Sequence, residues 1–125
     1  MNIALWVIAA VLALAFLAAG AMKALKGKQG LQANPRMAWT ADFSDGAIRA
    51  IGVVEILGAI GLILPALSGV AVILVPLAAV GLALAMLGAI IVHLRRGERE
   101  GAIAPAVLMI LAIVVAWGRF GAYAF

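Results

Sequence analysis

The sequence contains no cysteine and a single histidine, His93. Without cysteine, the chain can form no disulfide bond, no thiolate metal site and no thiol redox centre of its own. One histidine cannot build a zinc-type site, because no second histidine or cysteine is present to join it. We therefore predict that the chain holds no metal ion.

Charged residues are also scarce. They make up 11% of the chain, whereas hydrophobic residues make up 68%. A soluble globular domain is about 25% charged and roughly 45–50% apolar, so this composition excludes an ordinary soluble fold. The net charge of +4 does not indicate nucleic-acid binding, since the basic residues flank apolar stretches and are better explained by membrane topology. We expect no nucleic-acid partner.

The usual signatures of an enzyme are missing as well. The chain has no phosphate-binding G-x-x-x-x-G-K loop, no histidine cluster for a di-iron site, and no nucleophile with a plausible base; Ser68 has no reachable partner. We name no catalytic residue, and we favour a non-catalytic role while leaving an enzymatic one open.

Four long apolar stretches are present instead, at about residues 3–22, 47–64, 70–94 and 103–119. A helix of 20 residues is about 30 Å long, which matches the hydrocarbon thickness of a bilayer. The first stretch lacks a basic n-region and is longer than a signal-peptide core, so we expect it to be retained as a span. The sequence predicts an all-α integral membrane four-helix bundle, a single domain over residues 1–125, embedded in the lipid bilayer.

Several residues predict how the spans begin and end. Asp45 is expected to cap the second span, Pro65 to stop it, and Pro76 to kink the third span. Asn34 before Pro35 suits a helix start, so a short interfacial helix to about Phe43 is predicted, with a plain loop as the alternative.

The basic residues are distributed unevenly between the two ends of the bundle. Loops 23–46 and 95–102 hold all lysines and arginines except Arg49, which sits just inside the second span on the same side, and Arg119 at the other end. The positive-inside rule predicts that both loops are cytoplasmic and both termini lie outside, in the inner (plasma) membrane. Arg119 is expected to snorkel outward beyond the fourth span.

Small residues indicate where membrane helices touch, because they allow close approach of two backbones. On this basis we predict that four glycines lie at helix contacts: Gly52, Gly58 and Gly61 in the second span and Gly81 in the third.

Glu55 lies near the centre of the second span, about 12 Å along its axis from Ala47. An acidic residue at that depth costs about 2.5–3.5 kcal/mol on insertion scales, so it should face the bundle interior or a wet cavity. Arg49 is too far along the helix to pair with it, and we therefore expect Glu55 to be largely uncharged. The competing interpretation is a purely structural Glu55, hydrogen-bonded across the bundle.

Three cationic or titratable residues lie at corresponding depths at the inner ends of the first three spans: Lys23, Arg49 and His93. If the spans are neighbours, these side chains converge above Glu55 and could contact the polar head of a ligand. The alternative is ordinary topology signalling, with Arg49 paired to Asp45 four residues earlier. We treat Glu55, Arg49, His93 and Lys23 as a candidate ligand-binding site.

Groups of residues in three spans resemble the DoxX-like family, and the resemblance extends over nearly the whole chain. These are Gly20 to Lys23, the pattern Arg49-x-x-Gly52-x-x-Glu55-x-x-Gly58-Ala59-x-Gly61-Leu62 with Pro65, the run Leu77 to Ala83, and His93-Leu94-Arg95-Arg96-Gly97-Glu98. The resemblance implies a prokaryotic four-helix membrane protein, related to a small membrane subunit of a thiosulfate–quinone oxidoreductase. It supplies no catalytic residues, and the absence of cysteine argues against a thiol relay.

The leading hypothesis is an auxiliary membrane subunit that binds an apolar ligand, such as a quinone, within the bundle. Its partner would be a redox enzyme subunit or further copies of the chain. The alternatives are a small transporter in which Glu55 carries a proton, and a structural or assembly protein without a ligand.

Overall fold

The computed structural model describes residues 2–31, 35–121 and 123–124, and the described residues contain helices and no strand. The elements in chain order are α1 (Asn2–Leu31), a 3₁₀ helix η1 (Pro35–Asp42), α2 (Asp45–Ser68), α3 (Leu74–Arg95), a 3₁₀ helix η2 (Glu100–Ala102) and α4 (Ile103–Phe120). Neighbouring helices in this order pack side by side, and α4 closes the ring against α1.

The four α-helices are each long and apolar enough to cross a membrane. Most of their large apolar side chains point outward, as Leu14, Leu57 and Leu84 do, whereas a smaller set including Phe16 and Leu62 forms the core. Such an outer surface is stable only against lipid. The prediction of an all-α membrane bundle is confirmed, and the chain is a multi-pass membrane protein.

The topology gives the bundle two distinct ends. The start of α1, the α2–α3 turn and the end of α4 form one end, which we call the terminal end. The η1 and η2 segments form the other, the loop end, where Asp42 and Arg96 bring the two connections together.

Two prolines do not act as expected. Helix α2 continues past Pro65 to Ser68 and ends at Gly69, which adopts the left-handed conformation with φ 72°. Helix α3 begins only at Leu74, so Pro76 lies in its first turn, where a backbone N–H has no partner within the helix. Pro65 therefore does not stop the second span, and Pro76 has no helical turn before it to kink.

The first connection is shorter and more ordered than predicted. Helix α1 runs beyond residue 22 to Leu31, with a break at Gly27, where φ is 64°. Ser44, not Asp45, caps α2, since its hydroxyl accepts the N–H of Ala47. The predicted short helix is present as η1, and its proposed cap, Asn34, lies outside the described residues.

Candidate functional site

Lys23 of α1 and Glu55 of α2 form a buried pair in the seam between these helices. Lys23 Nζ lies 2.5 Å from Glu55 Oε1, and the two side chains are 12% and 2% exposed. The expectation that Glu55 faces the bundle interior agrees with this burial. The expectation of an uncharged Glu55 took Arg49 as the nearest cation, whereas in the structure it is Lys23 that contacts the carboxylate.

A close crossing of two glycines allows this pair to form. Gly20 precedes Lys23 by three residues and Gly52 precedes Glu55 by three, so each glycine shares a helix face with its charged neighbour. A Cβ added at Gly52 would lie 2.5 Å from the carbonyl oxygen of Gly20. Only hydrogen at these positions lets the backbones approach closely enough for the short Lys23–Glu55 contact.

Trp39 of η1 covers the loop side of the pair. Lys23 Nζ lies 5.8 Å from the centroid of the Trp39 ring, within the range of a cation–π interaction. The rings of Trp39 and Phe43 meet edge to face at 5.6 Å, and Thr40 beside them is fully buried. Trp39 and Phe43 are four residues apart in the sequence, which suits one helix face, but no local pattern indicates that Trp39 reaches Lys23.

Arg49 does not point toward Glu55. Its Nε donates to Asp45 Oδ2 at 2.9 Å, and its Nη1 donates to the carbonyl oxygen of Ala24 at 2.7 Å. That carbonyl lies in the last turn of α1 before the break at Gly27, where unsatisfied carbonyl groups attract a cation. Arg49 therefore links the end of α1 to the start of α2. This is the alternative role, pairing with Asp45, together with a contact to the Ala24 carbonyl that the sequence did not indicate.

His93 belongs to a separate polar network at the loop end. Its Nδ1 lies 3.1 Å from Glu98 Oε1, which also accepts from Arg96 Nε at 3.3 Å. Arg96 Nη1 donates to Asp42 Oδ2 at 2.7 Å, and this contact raises the pKa of the Arg96 guanidinium further, so it stays charged. The predicted convergence of Lys23, Arg49 and His93 on one carboxylate does not occur: each pairs with a different one.

Arg119 is buried, not snorkelling. It is 4% exposed, and its Nη1 donates to Asn2 Oδ1 at 2.5 Å and to the carbonyl oxygen of Tyr123 at 2.9 Å. The Trp6 ring lies 5.8 Å from its Cζ. The residues after α4 fold back and supply an acceptor, which removes the need for Arg119 to reach water. These contacts link the start of α1 to the end of α4 at the terminal end.

The predicted packing glycines divide into two groups. Gly52 meets α1, and Cβ atoms added at Gly58 and Gly61 would lie within 3 Å of Leu82 and Ala78 of α3. Gly81 is exposed, and a Cβ there would meet nothing within 4 Å. The prediction that Gly81 packs against another helix of the chain is wrong, because the buried face of α3 is carried by Ala79 and Leu82 instead.

Two apolar grooves lie on the lipid-facing surface. The groove between α1 and α2 has a volume of about 450 Å³. It is lined by Ala13, Leu14, Leu17, Ala59, Ile60, Ile63 and Leu64. The other lies between α3 and α4, has a volume of about 380 Å³, and includes Trp117 and Phe120. Ala59 is one helical turn from Glu55, so only the first groove adjoins the buried pair.

Within the described residues, no three side chains from His, Cys, Asp and Glu are grouped in a way that could hold a metal ion. The seam instead pairs Lys23 with Glu55, and the loop-end network joins Arg96 and His93 to the carboxylates of Asp42 and Glu98. The site is therefore equipped to donate and accept hydrogen bonds inside an apolar seam.

Comparison with known proteins identifies the family. The model of the DoxX-like family matches residues 7–115, which include all four helices in whole or large part. No curated protein and no solved structure matches the chain. The match confirms the resemblance seen in the sequence, and the chain belongs to the DoxX-like family.

Proposed function

We propose that this protein is an auxiliary membrane subunit that binds an apolar molecule with a polar head, such as a quinone. The head would contact Lys23 and Glu55 beneath Trp39, and the tail would lie in the α1–α2 groove. The observation that carries the proposal is the buried Lys23–Glu55 pair in an otherwise apolar seam. Ionisable residues at membrane depth are costly and commonly mark functional sites.

The chemistry of the seam suits a quinone. The Lys23 ammonium can donate a hydrogen bond to a quinone carbonyl oxygen, Glu55 can accept one from a hydroxyl of the reduced quinol form, and the Trp39 ring offers a flat face for stacking. Ala59 follows Glu55 by four residues, or about 6 Å along the helix axis, so head and tail sites would be continuous.

The terminal end supports a binding subunit over a proton-carrying transporter. A transporter in which Glu55 carries a proton needs a route from Glu55 to both ends of the bundle. At the terminal end, Arg119 is buried and bonds Asn2 and the Tyr123 carbonyl, which links the start of α1 to the end of α4. The partner that receives the ligand, whether a redox enzyme subunit or a second copy of the chain, is part of the same proposal.

Quenching of Trp39 fluorescence tests the proposed binding. The chain has three tryptophans, so replacing Trp6 and Trp117 with phenylalanine leaves Trp39 as the single reporter. Decylubiquinone titrated into nanodiscs should quench it saturably. Lys23→Met/Glu55→Gln, which removes the ammonium donor together with its partner charge, should weaken binding about tenfold or more, because hydrogen bonds to charged groups contribute about 1.5–3 kcal/mol.

Lys26→Gln is the matched control, since Lys26 is exposed one turn beyond Lys23 on the same helix. It should leave the titration unchanged. Quenching that never saturates, and that is equal in all variants, would reflect partitioning of the quinone into lipid and would rule out a site at Trp39.

We further propose that the loop end faces the cytoplasm and that the membrane is the inner (plasma) membrane. The exposed lysines and arginines near the loops favour this orientation. A reporter that is active only outside the cytoplasm should be active when fused after Phe125 and inactive when inserted at Gly97. A reporter that is active only in the cytoplasm should show the opposite result. The reverse pattern would overturn the orientation.

A further inference from the structure

We propose that the segment from Met37 to Phe43 is a lid over the Lys23–Glu55 pair, fastened to the α3–α4 connection by Arg96. In this proposal the lid lifts to admit the polar head of a ligand from the loop end. The identity of the ligand rests on the proposed function, whereas the motion of the lid does not.

The lid closes the exposed side of the pair. Lys23 retains 12% exposure and Glu55 only 2%, and the Trp39 ring lies over Lys23 Nζ. A flat ligand head between the Trp39 ring and Lys23 Nζ would occupy the space of the present cation–π contact. The Trp39 ring must therefore move away from Lys23 before the head can enter.

The fastening is a long-range ion pair between the two connections. Asp42, the last residue of η1, bonds Arg96 at 2.7 Å across 54 residues of chain. Glu98 holds the other side of the guanidinium, and His93 holds Glu98. Arg96 is thus positioned from the α3 side, and Asp42 is the part of the contact that can leave.

The strength of this contact suits a reversible lid. The Asp42 and Arg96 side chains are 52% and 26% exposed, and partly exposed pairs are weak. The segment itself is a short 3₁₀ helix whose Met37 departs from helical geometry, and such helices have poorer hydrogen bonds than α-helices. Thermal opening therefore requires the loss of one ion pair, of the contacts of Trp39 and of the burial of Thr40.

Distance measurements between two spin labels test the lid without any ligand. The chain has no cysteine, so Ala41→Cys and Glu100→Cys, both at exposed positions, provide the only attachment sites. Pulsed electron–electron double resonance in nanodiscs should give a main distance and a minor, longer one in this background. Arg96→Gln and Asp42→Asn should each raise the population of the longer distance relative to the main one about two- to fivefold, the range for a partly exposed ion pair.

Arg95→Gln is the matched control, because Arg95 is an exposed arginine next to Arg96 and bonds no carboxylate in the described part of the chain. It should leave the distances as they are. Unchanged distances in both Arg96→Gln and Asp42→Asn would overturn the lid. The second variant alters an exposed side chain, so its result does not depend on whether Arg96→Gln folds.

A kinetic measurement separates the lid from the proposed ligand. Decylubiquinone should quench Trp39 faster in Arg96→Gln than in Arg95→Gln, by the same factor as the change in open-to-closed ratio. Opening without quinone binding in any variant would retain the lid and reject the quinone. Binding at equal rates in the two variants would reject the lid as the route of entry.

Discussion

Lys23→Met is expected to destabilise the bundle by about 3–5 kcal/mol, the usual result of removing one partner of a buried ion pair. Glu55 would keep its buried position beside Gly20 but lose the ammonium at 2.5 Å. Its carboxylate would then have to be protonated or exposed, and either change costs free energy. Unfolding in mixed micelles with increasing sodium dodecyl sulfate would measure the loss.

The double variant Lys23→Met/Glu55→Gln separates the pair from simple loss of packing. It removes both charges while keeping similar side-chain volume, and it should recover most of the lost stability, since replacing a whole buried pair is often close to neutral. Lys26→Met serves as the exposed control and should stay near the parent. Equal instability of the single and double variants would mean that the lysine stem, and not its charge, is what matters.

Gly52→Ala is expected to have the second large effect, a loss of about 1–3 kcal/mol or more. The added Cβ would lie 2.5 Å from the Gly20 carbonyl oxygen and 2.6 Å from the Ala24 nitrogen. Both are backbone atoms, which cannot rotate away, so α1 and α2 must separate and the Lys23–Glu55 contact must lengthen.

Gly81→Ala provides a control of opposite sign. A Cβ there meets nothing within 4 Å, and alanine in a helix interior is about 0.5–1 kcal/mol better than glycine. The same unfolding assay should therefore show Gly81→Ala at or above the parent and Gly52→Ala well below it. If the two variants were equally stable, the close glycine crossing would be wrong.

Span count, fold class and the inward direction of Glu55 could all be predicted from the sequence. Each follows from a large free-energy cost, either of leaving backbone polar groups unpaired in lipid or of exposing a charged side chain to lipid. The first span was expected to end before Lys23, because a lone lysine is costly inside an apolar helix. A buried lysine with a partner does not end the helix, and α1 therefore continues past it to Leu31.

The rest of the site depends on contacts between distant segments. No local pattern indicates that Trp39 covers Lys23, that Asp42 reaches Arg96, or that Tyr123 offers a carbonyl to Arg119. One usable signal was present in the sequence. Gly20 and Lys23 have the same spacing as Gly52 and Glu55, and two such helices crossing at their glycines bring opposite charges together.

Photoaffinity labelling with an azido-quinone is the most direct test of a ligand site at Lys23 and Glu55, because it distinguishes the α1–α2 groove from the α3–α4 groove of similar volume. After irradiation in nanodiscs, mass spectrometry should find the label on the Trp39 segment and on α2 near Ala59. Excess decylubiquinone should suppress this labelling, and Lys23→Met/Glu55→Gln should reduce it. Labelling confined to the α3–α4 groove around Trp117, or unaffected by competitor, would contradict the account.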